Sequence, residues 1–263
     1  MRIGILSKRK NMLTGKIKNY YERMGHDVNI YTTNELCINE CLVENDFYIL
    51  KSKHLFYIYA GYYIESQNIP VIPNTDICFK IKNRIEAHLL LRKAQLLAPD
   101  YYMGTIGTLK KELKISDFPL VAKPIMGSSG SKGVRFIREF NDLDSINEDY
   151  IYLERFIDGF HYIAYFIGDE MFCCEKKPFM HEHNETKEVL LTDDIKQYII
   201  NWKESYDLLF GHLDMVREKS TGNLYVVDPG TFPEFSNWKT NSEPVALLCN
   251  LILDEYNKML DTK

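Results

Sequence analysis

Four short apolar runs alternate with helical stretches in the first 75 residues, and this alternation constrains the fold more than any other feature of the chain. Residues 2–6, 28–32, 46–50 and 70–73 read as strands, and residues 16–24 and 56–66 as helices between them. Strands separated by helices build βαβ units and a mainly parallel sheet. In such sheets ligands bind at the C-terminal strand ends. The pattern predicts a small Rossmann-like unit that exits through Pro73-Asn74-Thr75-Asp76.

Beyond the exit, Ile81, Ile85, Leu89, Leu90, Ala94 and Leu97 recur at helical spacing, so one helix is expected over residues 82–97, closed by Pro99. From Phe118 the texture changes to short β-rich runs broken by glycine: residues 120–123, 133–137, 150–153, 162–168 and 171–175. Such runs predict antiparallel hairpins. Residues 194–209 and 245–260 read as helices, with two last strands at 213–218 and 224–228.

The 263-residue chain has 32 Lys and Arg against 37 Asp and Glu, a net charge of −5, which argues against a dedicated nucleic-acid binder. No apolar run approaches the ~18–20 residues of a membrane span, and Met1 to Ser7 turns polar too soon for a secretory segment, so a soluble cytoplasmic protein is expected. The six cysteines form no CxxC pair and no zinc spacing. They read as reduced, mostly buried thiols.

Three segments carry chemistry. The first is Phe118-Pro119-Leu120-Val121-Ala122-Lys123-Pro124, followed by Gly127-Ser128-Ser129-Gly130-Ser131-Lys132-Gly133. A lysine ending an apolar strand is costly to desolvate unless an anion meets it, and a Gly/Ser loop can wrap its N–H groups around a phosphate. Because Lys132-Gly133-Val134 runs into a strand and not a helix, this is no Walker A loop. The second segment is Leu153-Glu154-Arg155-Phe156-Ile157-Asp158-Gly159. In the third, Asp214 and Asp228 lie on two apolar strands joined by Thr221-Gly222-Asn223. Adjacent antiparallel strands would bring these carboxylates together, where a shared cation relieves their repulsion and hard oxygen ligands suit Mg²⁺.

In this order the segments resemble the ATP-grasp superfamily across nearly the whole chain. The resemblance implies an α/β plus α+β fold: a Rossmann-like pre-ATP-grasp domain over residues 1–78, then an ATP-grasp domain over 79–263 with lobes of about 79–153 and 154–263. It implies ATP and Mg²⁺ as cofactors. Arg84 and Lys123 would face the phosphates, and Gly127, Ser128, Ser129, Gly130 and Lys132 would close over them. Glu154 and the backbone at Phe156 would read adenine, and Asp214 and Asp228 would hold the metal. Lys176 and Lys177 stand where relatives place an arginine near the transferring phosphate, and are the candidate catalytic residues. The implied partner is a small-molecule or peptide substrate, anionic in one reading, with neither nucleic acid nor membrane; the oligomeric state is left open.

Two departures stand out. Asp228-Pro229-Gly230 puts glycine where the family commonly has an asparagine ligand, with water or Glu234 as candidates for the vacancy. His161-Tyr162-Ile163 replaces an acidic residue, spacer and arginine. A carboxylate–amine ligase resembling RimK and glutathione synthetase is the first expectation. The alternative is a kinase similar to ATP-grasp inositol polyphosphate kinases, suggested by Lys8, Arg9, Lys10, Lys51 and Lys53 at the strand ends of the first unit. A third reading is a nucleotide-binding module without turnover. His181-Glu182-His183 reads as a loop and not as a metal site.

Overall fold

A computed structural model describes residues 1–127, 133–177, 186–238 and 243–261. The first sheet holds β1 (Arg2–Leu6), β2 (Asp27–Tyr31), β3 (Phe47–Leu50) and β4 (Val71–Ile72) in the order β2-β1-β3-β4, all parallel as expected. Helix α1 (Met12–Arg23) begins in a reciprocal cap: Asn11 Oδ1 accepts from the Thr14 N–H, and Thr14 Oγ1 accepts from the Asn11 N–H. Helix α2 (Leu55–Ser66) lies between β3 and β4. Gly4 is opposite Tyr48 in the register, and a Cβ at position 4 would collide with the Tyr48 ring.

The helix expected over 82–97 is α4 (Arg84–Lys93), and a further helix not expected from the sequence, α3 (Thr75–Lys82), runs directly into it. Asn83 between them is extended, and its side chain accepts from the Ile85 and Glu86 N–H groups. The apolar periodicity spans both helices and hid this break, because N-capping is a local hydrogen-bonding choice that hydrophobic spacing does not encode. The break makes Arg84 the first residue of α4. The other boundaries differ from the sequence reading by a few residues, as element ends generally do.

The second sheet contains β5 (Tyr101–Gly104), β6 (Leu120–Lys123), β7 (Arg135–Ile137) and β8 (Ile151–Arg155), antiparallel in the order β5-β8-β6-β7. Strand β5, and α5 (Ile106–Glu112) after it, were not expected. The strand's Tyr-Tyr-Met-Gly is half-exposed and shows no clean alternation. The third sheet, order β11-β10-β9-β12-β13, contains β9 (Gly159–Ile167), β10 (Glu170–Lys176), β11 (Lys187–Glu188), β12 (Phe210–Glu218) and β13 (Leu224–Gly230). Helix α6 (Asp193–Ser205) precedes β12, and α7 (Pro244–Asp261) ends the described chain.

Alternation along β12 divides the packing. Leu213 and Met215 join Leu90, Ile199, Trp202 and Val226 in one core. On the opposite face Ile163, Tyr165 and Phe210 join Leu248, Ile252 and Tyr256 of α7 with Ile3, Ile5 and Phe47 of the first sheet. The stacked rings of Phe47 and Tyr256, 4.6 Å between centroids, are part of this contact. The last helix thus covers the first sheet, so the C-terminal strand ends of β1 and β3 are held near the end of β13. Cys78, Cys173, Cys174 and Cys249 are buried, whereas Cys37 and Cys41 are exposed. Among the described residues no helix is long and apolar enough to cross a membrane.

Candidate nucleotide and metal site

On β6 and β8, Leu120, Ala122, Ile151 and Leu153 face a core with Leu109 and Leu143. Period-two geometry leaves Lys123 and Glu154 together on the other face. Lys123 Nζ donates to Glu154 Oε2 and, at 2.9 Å, to the Val227 carbonyl of β13. Both side chains are nearly enclosed, at 11 % and 8 % exposure, so this pair joins the second sheet to the third in a poorly solvated place.

Arg84 reaches the same end of β13 from α4. Its Nη1 lies 2.6 Å from Asp228 Oδ1, and its guanidinium is buried. The start of the glycine loop is stitched to the break between α3 and α4. Arg84 N–H donates to Ile125 O at 2.8 Å, Gly127 N–H to Lys82 O at 2.7 Å, and Lys82 Nζ to Gly127 O at 2.7 Å. Gly127 therefore sits beside Arg84. Ser128, Ser129, Gly130 and Lys132 lie outside the described residues, as does the 181–183 run.

Asp214 and Asp228 are directly opposite each other across β12 and β13. A regular ladder would not place them so. Met215 pairs with Val226 and Asp214 with Asp228, so Val227 is an extra residue in a bulge. The bulge turns Asp228 onto the face of Asp214, and the Val227 carbonyl freed by it accepts from Lys123. Lys176 of β10 approaches Asp214 Oδ2 at 2.8 Å, whereas Asp214 Oδ1 is buried without a hydrogen bond. Lys177, just beyond β10, is exposed.

The charges are mutually arranged. The recessed position of Asp228 raises its pKa, but Arg84, Lys53 and Lys123 outweigh this and hold the carboxyl well below its usual range. Burial, then the neighbouring charges of Lys53 and Arg84, lower the pKa of Lys82. Arg84, Lys53 and Lys123 thus all act on Asp228, and Lys123 is shared with Glu154. His161, opposite Lys176 in the register, is pushed down to about 4 by burial and by Lys176. A recess lined by Arg84, His88, Leu91, Tyr152, Glu154 and Val227 opens between α4 and β13.

Phe156 is placed differently from the other candidates. Its N–H donates to Pro119 O at 3.1 Å, the Arg155 N–H to Asp100 O at 2.9 Å, and the Phe156 ring meets Phe136 edge-on. The backbone amides of Arg155 and Phe156 are thus both engaged within the chain. Glu234 does not fill the place left by Gly230. It accepts from Asn11 Nδ2 at 3.0 Å and pairs with Lys51 Nζ at 2.9 Å, which ties the end of β13 to the first sheet. Lys82 and His212 were not singled out from the sequence. Lys82 looks like an ordinary helix-end cation, and only the tertiary pairing with Gly127 gives it a place.

No protein-family model matches the chain. Over 83 residues it is 39 % identical to the formate-dependent phosphoribosylglycinamide formyltransferase of Prochlorococcus marinus, a match covering 31 % of this chain and 21 % of that protein. The match thus spans about a fifth of the length of that curated relative. Similarity to solved structures extends over nearly the whole chain. The D-alanine–D-alanine ligase of Bacillus anthracis complexed with ATP superposes with a TM-score of 0.74 at 17 % identity, covering 100 % of this chain and 99 % of that one. A RimK domain ATP-grasp protein of Sphaerobacter thermophilus gives 0.79 at 11 % identity, covering 95 % and 99 %. The ADP complex of N5-carboxyaminoimidazole ribonucleotide synthetase gives 0.78 at 15 %, covering 95 % and 77 %. The chain has the ATP-grasp fold, with the mixed α/β and α+β architecture expected from its sequence.

Proposed function

We propose that the chain is an ATP- and Mg²⁺-dependent ligase that activates a carboxylate as an acylphosphate and joins it to an amine. The observation that carries this reading is the bulge-enforced opposition of Asp214 and Asp228 beside three converging cations, Lys82, Arg84 and Lys123. The donor set suits a hard divalent ion, and the bare buried Oδ1 of Asp214 gives it a free lone pair. Bound between these carboxylates, Mg²⁺ would neutralise charge on the transferring phosphoryl group. The ligase and ATP-bound structures similar in fold support the same reading.

The residues of the chain divide the work. Arg84, Lys82 and Lys123 turn from Asp228, Gly127 and Glu154 toward phosphate oxygens, with Gly127 beginning the loop that covers them. Lys176, and Lys177 next to it, supply positive charge at the transferring group once Asp214 is engaged by metal. Glu154 lies on the wall where the base would sit, in the recess with Tyr152. The substrate carboxylate oxygen forms a bond to the γ-phosphorus as the bond to the bridging oxygen breaks, and ADP leaves with that electron pair. The amine nitrogen then bonds to the acyl carbon, inorganic phosphate departs, and the amine proton goes to solvent.

A kinase reading is favoured by one observation: Lys53 crowds both Lys51 and Lys82 at one edge and, after burial, lowers the affinity of each for its proton. A polyphosphorylated acceptor would relieve that crowding. ADP release with MgATP across amino acids, short peptides and inositol phosphates, with hydroxylamine present, separates the readings. Hydroxamate formed from a carboxylate substrate supports the ligase. ADP release with an inositol phosphate and no hydroxamate overturns it in favour of the kinase.

A further inference from the structure

Where the resemblance expects an asparagine ligand, residue 230 is glycine, and the space above it is filled by His212. The two are opposite each other on β12 and β13, two steps along the ladder from the Asp214–Asp228 pair, with Leu213–Pro229 between. A Cβ on residue 230 would lie 2.5 Å from His212 Nδ1 and 2.6 Å from Nε2, distances that real Cβ atoms do not adopt. The imidazole and any side chain at 230 therefore exclude one another. His212 and Asp214 project from the same face of β12, two residues apart, with Tyr165 flanking the imidazole at 6.1 Å. His212 Nδ1 is buried without a hydrogen bond, and so is Asp214 Oδ1. A buried polar atom without a partner is destabilising, and two of them on one strand face make a place that a bound ion would satisfy.

We propose that His212 is the third protein ligand of the metal, with an imidazole nitrogen in the position that asparagine takes in relatives. The inference rests on the reading of Asp214 and Asp228 as metal carboxylates and goes beyond it in the third donor and the choice of ion. Among the described residues, no three His, Cys, Asp or Glu side chains already converge as ligands. Asp214 is turned to Lys176 and Asp228 to Arg84, so metal entry displaces both cations. An imidazole nitrogen is a softer donor than an amide oxygen, and Mg²⁺ is chiefly an oxygen-binding ion. The site is accordingly biased toward Mn²⁺, Co²⁺ or Zn²⁺ relative to an all-oxygen site.

The test is pulsed electron paramagnetic resonance of Mn²⁺ bound to the full chain, with natural-abundance and ¹⁵N-histidine protein. A directly bonded nitrogen whose coupling changes on ¹⁵N labelling is expected. His212→Ala should abolish it and weaken Mn²⁺ binding at least ~10-fold, since even outer-shell changes cost 10–100-fold. A His212→Gly, Gly230→Asn double variant should restore Mg²⁺ binding without the nitrogen signal. Mn²⁺ that is lost on Asp214→Asn or Asp228→Asn but shows no nitrogen coupling in the unaltered chain overturns the role of His212 alone. Mn²⁺ binding indifferent to both aspartates overturns the carboxylate reading beneath it.

Discussion

Arg84 Nη1 stands 2.6 Å from Asp228 Oδ1, so the first side chain of α4 holds the carboxylate proposed as a metal ligand. The same pattern repeats at Lys176 with Asp214 and at Lys123 with Glu154. Arg84, Lys123 and Lys176, the cations proposed to meet phosphate, each rest on a carboxylate, whereas Lys82 rests on the Gly127 carbonyl. Phosphate and metal therefore assist each other, because each removes the partner that the other must displace.

That coupling is measurable by calorimetry. ATP is expected to bind about 5–150-fold more tightly with Mg²⁺ than without it, the usual range for coupled sites. Asp228→Asn should remove most of that difference while leaving metal-free nucleotide affinity unchanged or improved, because Arg84 is released. Equal affinities with and without Mg²⁺ in the unaltered chain would contradict the arrangement.

Lys123→Ala removes phosphate binding, and from the sequence alone it would also be expected to leave the fold intact. The structure revises that expectation. Glu154 would keep a buried charge without its partner, at a cost of about 3–5 kcal/mol. Adding Glu154→Gln should recover much of this stability in urea unfolding without recovering ADP release. A single variant as stable as the parent would show that Glu154 is solvated in solution.

Gly4→Ala should lower stability by roughly 1–3 kcal/mol, the usual overpacking penalty. The Tyr48 ring lies across Gly4 and cannot swing aside freely. Its hydroxyl donates to Leu42 O and accepts from Asn45 Nδ2, both at 2.6 Å. The melting temperature should fall, and an unchanged value would show that the ring moves aside.

Asn83→Ala takes the cap from α4 and should cost about 1 kcal/mol. Because Arg84 follows directly, ATP turnover should fall by more than the loss of folded protein accounts for. Asn83→Asp, which keeps the cap acceptor, should restore stability; full activity in Asn83→Ala would sever the link between the cap and the site.

The residues with a chemistry of their own were readable from the chain. Lys123 ends an apolar strand, Asp214 and Asp228 lie on two others, and β–α alternation announces the first sheet. Strand and helix periods are local properties, set by which side chains must leave water within a few residues. What the sequence by itself determined was therefore the class of fold, the order of its parts and the carboxylates and lysine of the cleft. The tertiary structure alone decided the meeting of Arg84 with Asp228, the Val227 bulge that turns Asp228 beside Asp214, and the His212 ring in the space of a missing side chain. These depend on which backbone hydrogen bonds and side-chain volumes meet across 15 residues of hairpin or more than 100 of chain. No spacing rule along the sequence encodes such meetings, because they form only once the sheets and helices have packed.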